Sequence, residues 1–208
     1  MEFNSTGLDN VAVGTDALLS NTTGGGNTAV GTDALESSHG SSNVALGAFS
    51  GLNQTTGSGN VYIGANMFGV AGESNACYIA SIFGQTSATG IPVLINSDNK
   101  LGTTTSSKRF KEKIRPMNKT SEAIFSLEPV TFRYRKEIDP AGTSQFGLVA
   151  EDVEKVNTDL VVRDKEGKPY SVRYDAVNAM LLNEFLKARR QIDAQQKQID
   201  ALTAGLRK

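Results

Sequence analysis

The sequence predicts two structures joined end to end. The first is a mainly β repeat shaft, a β-roll or β-solenoid assembled in three copies. The second is an α+β domain that ends in a long coiled-coil helix. Three observations carry this reading. An asparagine-led apolar motif recurs through residues 10–84. Composition changes at Ser106: residues 1–105 hold 17 of the 21 glycines and one basic residue, Lys100, against seven acidic ones, whereas residues 106–208 hold four glycines with 20 basic and 15 acidic residues. The stretch 178–206 then places apolar residues at heptad spacing.

The motif begins as Asn10-Val-Ala-Val-Gly14-Thr-Asp-Ala-Leu18 and returns at Asn27, Asn43 and Asn60, with a degraded copy from Asn75. Gly/Ser/Thr/Asn stretches such as Asn21-Thr-Thr-Gly-Gly-Gly26 separate the copies and read as turns. One unit of this length cannot bury an apolar face, so stability has to come from stacking neighbouring units. Val11/Val13, Val44/Leu46 and Val61/Ile63 point one way along their strands, and Ala12, Ala29 and Ala45 the other. Both faces can be buried, as when three rolls pack about a common axis. Asp16, Asp33 and the asparagines are expected to cap turns through side-chain-to-backbone hydrogen bonds rather than to bind cations. The repeats, residues 10–84, resemble the head repeats of trimeric bacterial adhesins and the collar repeats of phage fibres.

Residues 1–90 are thus assigned to the shaft, and 91–105 to a strand at Pro92-Val-Leu-Ile95 with a polar, turn-rich linker. After the junction, a short helix is expected at Thr120–Leu127 and a strand at Val130–Arg135. A second strand is expected at Gln145–Val149 and a helix at 150–156. A hairpin follows, with strands at Leu160–Arg163 and Tyr170–Val172 turning at Asp164–Gly167. Setting heptad position a at Asn178, Phe185, Ile192, Ile199 and Leu206 puts d at Leu181, Ala188, Gln195 and Leu202, a coiled coil over about 175–207.

Composition excludes several functions. One cysteine, Cys77, allows neither an intrachain disulfide nor a cysteine-rich zinc site, and one histidine, His39, allows no histidine metal centre or Ser-His-Asp triad. No cofactor and no metal is expected. The basic residues form no concentrated stripe, so nucleic acid is not an expected partner. No apolar run reaches the length of a membrane span. The start Met-Glu-Phe-Asn-Ser lacks the n- and h-regions of a signal peptide and reads as a boundary within a longer chain.

Three ordered motifs, Ser106-Ser-Lys-Arg-Phe-Lys-Glu-Lys-Ile114, Phe146-Gly-Leu-Val-Ala-Glu-Asp-Val153 and Tyr170-Ser-Val-Arg-Tyr-Asp-Ala-Val177, resemble the intramolecular chaperone domain of endosialidases, which ends many phage tailspikes and fibres. The resemblance covers residues 106–208. It implies a homotrimer that assists folding of the β-rich fibre before it and then releases itself by autoproteolysis. It implies Ser106 as nucleophile and Lys111 as base, with Ser107 standing where the family often has Asp. It further implies a virion protein with upstream fibre domains of the same chain as partners, and the missing signal peptide fits manufacture in a host cytoplasm. A bacterial cell surface is the alternative setting.

The chemistry suits those residues. A serine is a poor nucleophile until a base takes its proton, and without a nearby histidine a lysine is the natural base. That lysine must lose its charge, which burial or neighbouring cations favour; Lys108, Arg109 and Lys113 are close, and Glu112 and Glu151 are candidates to orient it. Within one chain, Ser106 reaches the Thr105 carbonyl through a five-membered ring but its own carbonyl only through a strained four-membered one. An acyl shift at Thr105–Ser106 is preferred, with attack on Ser106–Ser107 from a neighbouring chain as the alternative. Two other functions compete: a trimeric structural or adhesin module that never cuts, and a shaft that binds a host-surface glycan or receptor, for which few aromatics are available to stack on sugar (Phe49, Tyr62, Phe68, Tyr78 and Phe83) and several of those are expected in the core.

Overall fold

The computed structural model describes residues 1–206, and the chain divides into two compact units, Met1–Gly90 and Ile91–Lys208. The first is a β-solenoid. Five three-residue strands, β1 (Val11–Val13), β2 (Thr28–Val30), β3 (Val44–Leu46), β4 (Val61–Ile63) and β5 (Cys77–Ile79), stack in parallel in chain order. Register is constant along the stack: Ala12 pairs with Ala29, Ala29 with Ala45, Ala45 with Tyr62, and Tyr62 with Tyr78.

The repeated asparagine sets this register. Each of Asn27, Asn43 and Asn60 is buried, and its backbone N–H donates to the Oδ1 of the asparagine one turn earlier at 2.9–3.0 Å. Their side-chain amides donate to the carbonyls of Gly40, Gly57 and Glu73. The ladder ends at Ala76, whose N–H donates to Asn60 Oδ1 at 2.9 Å. Ala76, not Asn75, therefore holds the motif position in the fifth copy; Asn75 instead takes a left-handed φ of 60°. A second ladder runs beside the first, with the N–H groups of Gly25, Ser41 and Ser58 donating to the hydroxyls of Ser41, Ser58 and Ser74. Asp16 and Asp33 do not cap turns through their side chains; they occupy left-handed turn positions, both at φ 56°.

Inside the coil lie Ala17, Leu18, Ala29, Ala34, Leu35, Ala45 and Tyr62. Leu18 and Leu35 are fully buried at φ 52° and 50°. A left-handed residue costs about 1–2 kcal/mol, which burial of a leucine, about 1.5–3 kcal/mol, offsets. In the third turn Gly51 takes that place because Tyr62 replaces alanine in the fourth strand. A Cβ on Gly51 would lie 2.6 Å from Leu35 Cδ2 and 3.0 Å from Tyr62 Cδ2. The Tyr62 ring stacks on Tyr78 with centroids 5.6 Å apart, and Tyr78 donates to the Glu73 carboxylate at 2.6 Å. The outward residues of the strands, Val13, Val30, Leu46, Ile63 and Ile79, form one exposed apolar column. In a single chain, only the alanine and tyrosine face is covered.

In the second unit, β6 (Val93–Ile95) pairs antiparallel with β7 (Leu101–Thr103). The polar stretch expected to be a linker thus contributes a strand: Asn96 accepts the N–H groups of Asp98 and Lys100 and turns the chain. The helix expected at Thr120–Leu127 is a 3-10 helix, Asn118–Ser126. Strand β8 (Val130–Phe132) is shorter than expected and pairs with β9 (Gln145–Gly147). Helix α1 (Ala150–Val156) follows, then the hairpin β10 (Val161–Arg163) with β11 (Pro169–Val172).

The last element, α2 (Tyr174–Leu206), is one 33-residue helix; position 207 of the expected coiled coil lies outside the described residues. Val177 and Met180 of α2 pack with Val153, Leu160, Val161 and Val172 into the core of this unit. Asn183 and Glu184 on the same side meet the buried hydroxyl of Ser121. The predicted seam, from Asn178 and Leu181 through Phe185 and Ile192 to Ile199 and Leu206, is exposed along its whole length. Among the described residues, no helix is long and apolar enough to cross a membrane.

Candidate functional site

The composition boundary coincides with a short, tightly wound segment. β7 ends at Thr103, and a 3-10 turn spans Lys108–Phe110. The turn is closed by Phe110 N–H donating to the Ser107 carbonyl and Lys111 N–H donating to the Lys108 carbonyl, both at 3.1 Å. A 3-10 turn advances about 2 Å per residue, so it folds the lysine back towards the serine that precedes the turn. Lys111 Nζ lies 3.1 Å from Ser106 Oγ and donates to it. Ser106 does not cap the turn; Ser107 holds that position, and its side chain makes no capping bond. The N–H of Ser107 donates to Thr105 Oγ1 at 3.4 Å.

The structure thus brings together Ser106 and Lys111, five residues apart, with Thr105 and Ser107 on either side of the serine. It does not bring in Glu112 or Glu151: among the described residues, neither bonds or pairs with Lys111, and ion pairs lie elsewhere, as at Arg163–Glu154 and Lys187–Glu184. Every residue from 104 to 116 is exposed in the single chain. The lysine–serine hydrogen bond is therefore open to solvent in the single chain. Two large apolar residues stand in the same run. Phe110 is 61 % exposed with the Arg109 guanidinium 4.7 Å from its ring centre, and Ile114 is 58 % exposed.

The remaining candidates lie apart from this segment. Cys77 is exposed on β5, and the His39 ring bonds the Ser37 carbonyl in an exposed loop. Of the aromatic residues considered for glycan stacking, Tyr62 is buried within the coil and Tyr78 is half-buried against it, while Phe49, Phe68 and Phe83 are exposed. Among the described residues, no group of three or more His, Cys, Asp or Glu side chains gathers to hold a metal.

Comparison with known proteins agrees with the position of this boundary. No curated protein matches the chain. A protein-family profile of the peptidase class, described as the chaperone of endosialidase, matches residues 106–162 and so begins at the serine itself. Residues 106–162 are therefore similar to the chaperone of endosialidase family.

Proposed function

We propose that this chain is the end of a homotrimeric phage fibre or tailspike, in which the domain from Ser106 helps the β-solenoid shaft to fold and then frees itself by a single cut. Residues 1–90 form the shaft, 91–105 the strand-bearing connection to the junction, and 106–208 the chaperone with its coiled coil. The observation that carries the reading is the 3.1 Å contact between Lys111 Nζ and Ser106 Oγ, placed at the first residue of the family match. Two exposed apolar surfaces support a trimer: the outward column Val13–Val30–Leu46–Ile63–Ile79 and the a/d seam of α2. Both are what three parallel copies would cover.

The proposed reaction begins with Lys111 as the free amine. Ser106 Oγ gives its proton to Nζ as it forms a bond to the Thr105 carbonyl carbon. The Thr105–Ser106 C–N bond then breaks, and the departing Ser106 nitrogen takes the proton back from Nζ. The result is an ester between Thr105 and the Ser106 side chain. Water hydrolyses it to a Thr105 carboxyl, the new end of the shaft, and a free Ser106 hydroxyl on the released chaperone. Attack by a neighbouring chain on Ser106–Ser107 remains the alternative route. In either case the base must be dried to act, and assembly supplies that; the cut thereby reports on completed folding. No external substrate is turned over.

The experiment is the intact mass of freshly purified protein beside Ser106→Ala. Two fragments meeting at Thr105–Ser106 in the wild type, with one full-length species in the variant, are expected. A junction one residue later selects the intermolecular route. A single full-length species in both leaves a trimeric structural module and removes the Ser–Lys chemistry.

A further inference from the structure

Each coil of the solenoid has to leave room for the next, and one column of residues shows where. The carbonyls of Gly24, Gly40, Gly57 and Glu73 hold one repeated position, since each accepts the side-chain amide of a motif asparagine: Asn10, Asn27, Asn43 and Asn60 in turn. At the three glycines this position admits no side chain. A Cβ on Gly24 would lie 2.1 Å from the Gly40 carbonyl oxygen, one on Gly40 1.8 Å from that of Gly57, and one on Gly57 1.7 Å from that of Glu73. Real Cβ atoms essentially never come within 3.0 Å of such an atom, so glycine is here the condition for another backbone to stack. Glu73 is the member of the column that carries a side chain. By the same geometry, its Cβ stands where the carbonyl of a following coil would have to pass.

Two other positions change in the same coil. Asn27, Asn43 and Asn60 each offer Oδ1 to the N–H one coil later; Ala76 receives that bond from Asn60 but has no side-chain oxygen to pass on. The corner glycines Gly14, Gly31, Gly47 and Gly64 take φ of 131°, 138°, 130° and 107°, a region that residues with a Cβ rarely enter. Ala80 stands at the fifth corner, donating its N–H to the Ile63 carbonyl as Gly64 does to that of Leu46. It does not adopt the glycine conformation, so the chain leaves β5 on a different course. Glu73 and the fifth strand are also tied to each other: the Glu73 carboxylate accepts the Tyr78 O–H at 2.6 Å, and the Tyr78 ring lies stacked on Tyr62.

We propose that the fifth coil is a stop built into the shaft: Glu73, Ala76 and Ala80 end the stack at β5 and close that strand edge to a further coil. These three residues then set the length of the solenoid, whatever sequence follows them. A strand edge with unpaired N–H and C=O groups is an adhesive surface unless something blunts it, and stacked repeats depend on atypical terminal units for that reason. Here the blunting is steric at Glu73, a missing acceptor at Ala76 and a redirected corner at Ala80.

The test uses the full chain carrying Ser106→Ala, so that it stays whole, with a copy of residues 48–64 inserted directly after position 80. That copy brings its own column glycine, motif asparagine and corner glycine, from Gly57, Asn60 and Gly64. One version keeps Glu73, Ala76 and Ala80; the other carries Glu73→Gly, Ala76→Asn and Ala80→Gly. Amide hydrogen exchange, read by mass spectrometry, is followed on peptides from the inserted strand and from β1–β4. Behind the native residues the inserted strand is expected to exchange as open chain. Behind the three substitutions it is expected to exchange at least about tenfold more slowly, as part of the stack. Protection of the insert behind the native residues overturns the proposal. So does equal exchange of the insert in the two versions while β1–β4 stay protected. Should the triple variant open β1–β4, Glu73→Gly alone takes its place with the same insert, and no slowing relative to the native version then overturns the proposal.

Discussion

The asparagine ladder allows a stability prediction that can be worked from individual bonds. In Asn43→Ala, four contacts disappear: the Asn60 N–H and the Asn60 amide each lose Oδ1 at 3.0 and 3.1 Å, while the Gly57 carbonyl and Asn27 Oδ1 each lose the Asn43 amide, at 3.1 and 3.2 Å. Two of the four groups keep another partner, since the Asn60 amide still reaches the Glu73 carbonyl and Asn27 Oδ1 still receives the Asn43 N–H. The Asn60 N–H and the Gly57 carbonyl are left without these partners in the buried ladder. At about 1–3 kcal/mol for each of the two unsatisfied groups, the substitution is expected to cost about 2–6 kcal/mol. Asn10→Ala is the internal control. It strands the Asn27 N–H, but the Gly24 carbonyl keeps the Asn21 amide at 2.9 Å, so about 1–3 kcal/mol is expected. The assay is urea unfolding of the full chain in a Ser106→Ala background, followed by far-ultraviolet circular dichroism at fixed protein concentration. Equal effects at Asn43 and Asn10, or a cost at Asn43 below about 0.5 kcal/mol, would refute the ladder as the element that fixes register.

Two further predictions concern the same unit. Burial pushes the Tyr62 hydroxyl up to about 12, and among the described residues that buried oxygen has no hydrogen-bond partner. Tyr62→Phe should therefore be neutral or stabilising by up to about 1 kcal/mol. Because the folded value lies above the ordinary phenol value, the stability linked to this group is complete below about pH 10 and declines as pH rises towards about 12. The phenylalanine variant should lose that alkaline decline, as read by unfolding midpoints across the range. Cys77 is exposed in a single chain and shares the outward face of β5 with Ile79. In the trimer proposed here its thiol should resist labelling in native protein and react at once after unfolding; equal rates in both states would count against packing through the outward column.

Much of this protein could be read from its residues, and the limits of that reading have physical causes. The recurrence of asparagine, apolar triplet and glycine announced the solenoid because each coil repeats the same buried hydrogen bonds. Spacing along the chain aligns the fifth copy to Asn75, but pairing of Cys77 with Val61 puts Ala76 in the ladder instead. The strand Leu101–Thr103 is not legible in the sequence because three residues, one of them glycine, carry no periodicity until they meet Val93–Ile95. Helix α2 is legible from its heptads, yet which side faces its own domain is decided by Val177 and Met180 joining the core cluster with Leu160 while α2 lies along the 3-10 helix Asn118–Ser126.

For the candidate site, the sequence alone determined the residue types: a serine and a lysine at a composition boundary, with no histidine to compete as base. Only the tertiary structure decided that the two atoms stand 3.1 Å apart, that Phe110 bears Arg109 on its ring, and that all of this lies open to water in one chain. Residue identity fixes what chemistry is available. Distance and exposure depend on how a three-residue turn closes and on what covers it, and no local pattern encodes either.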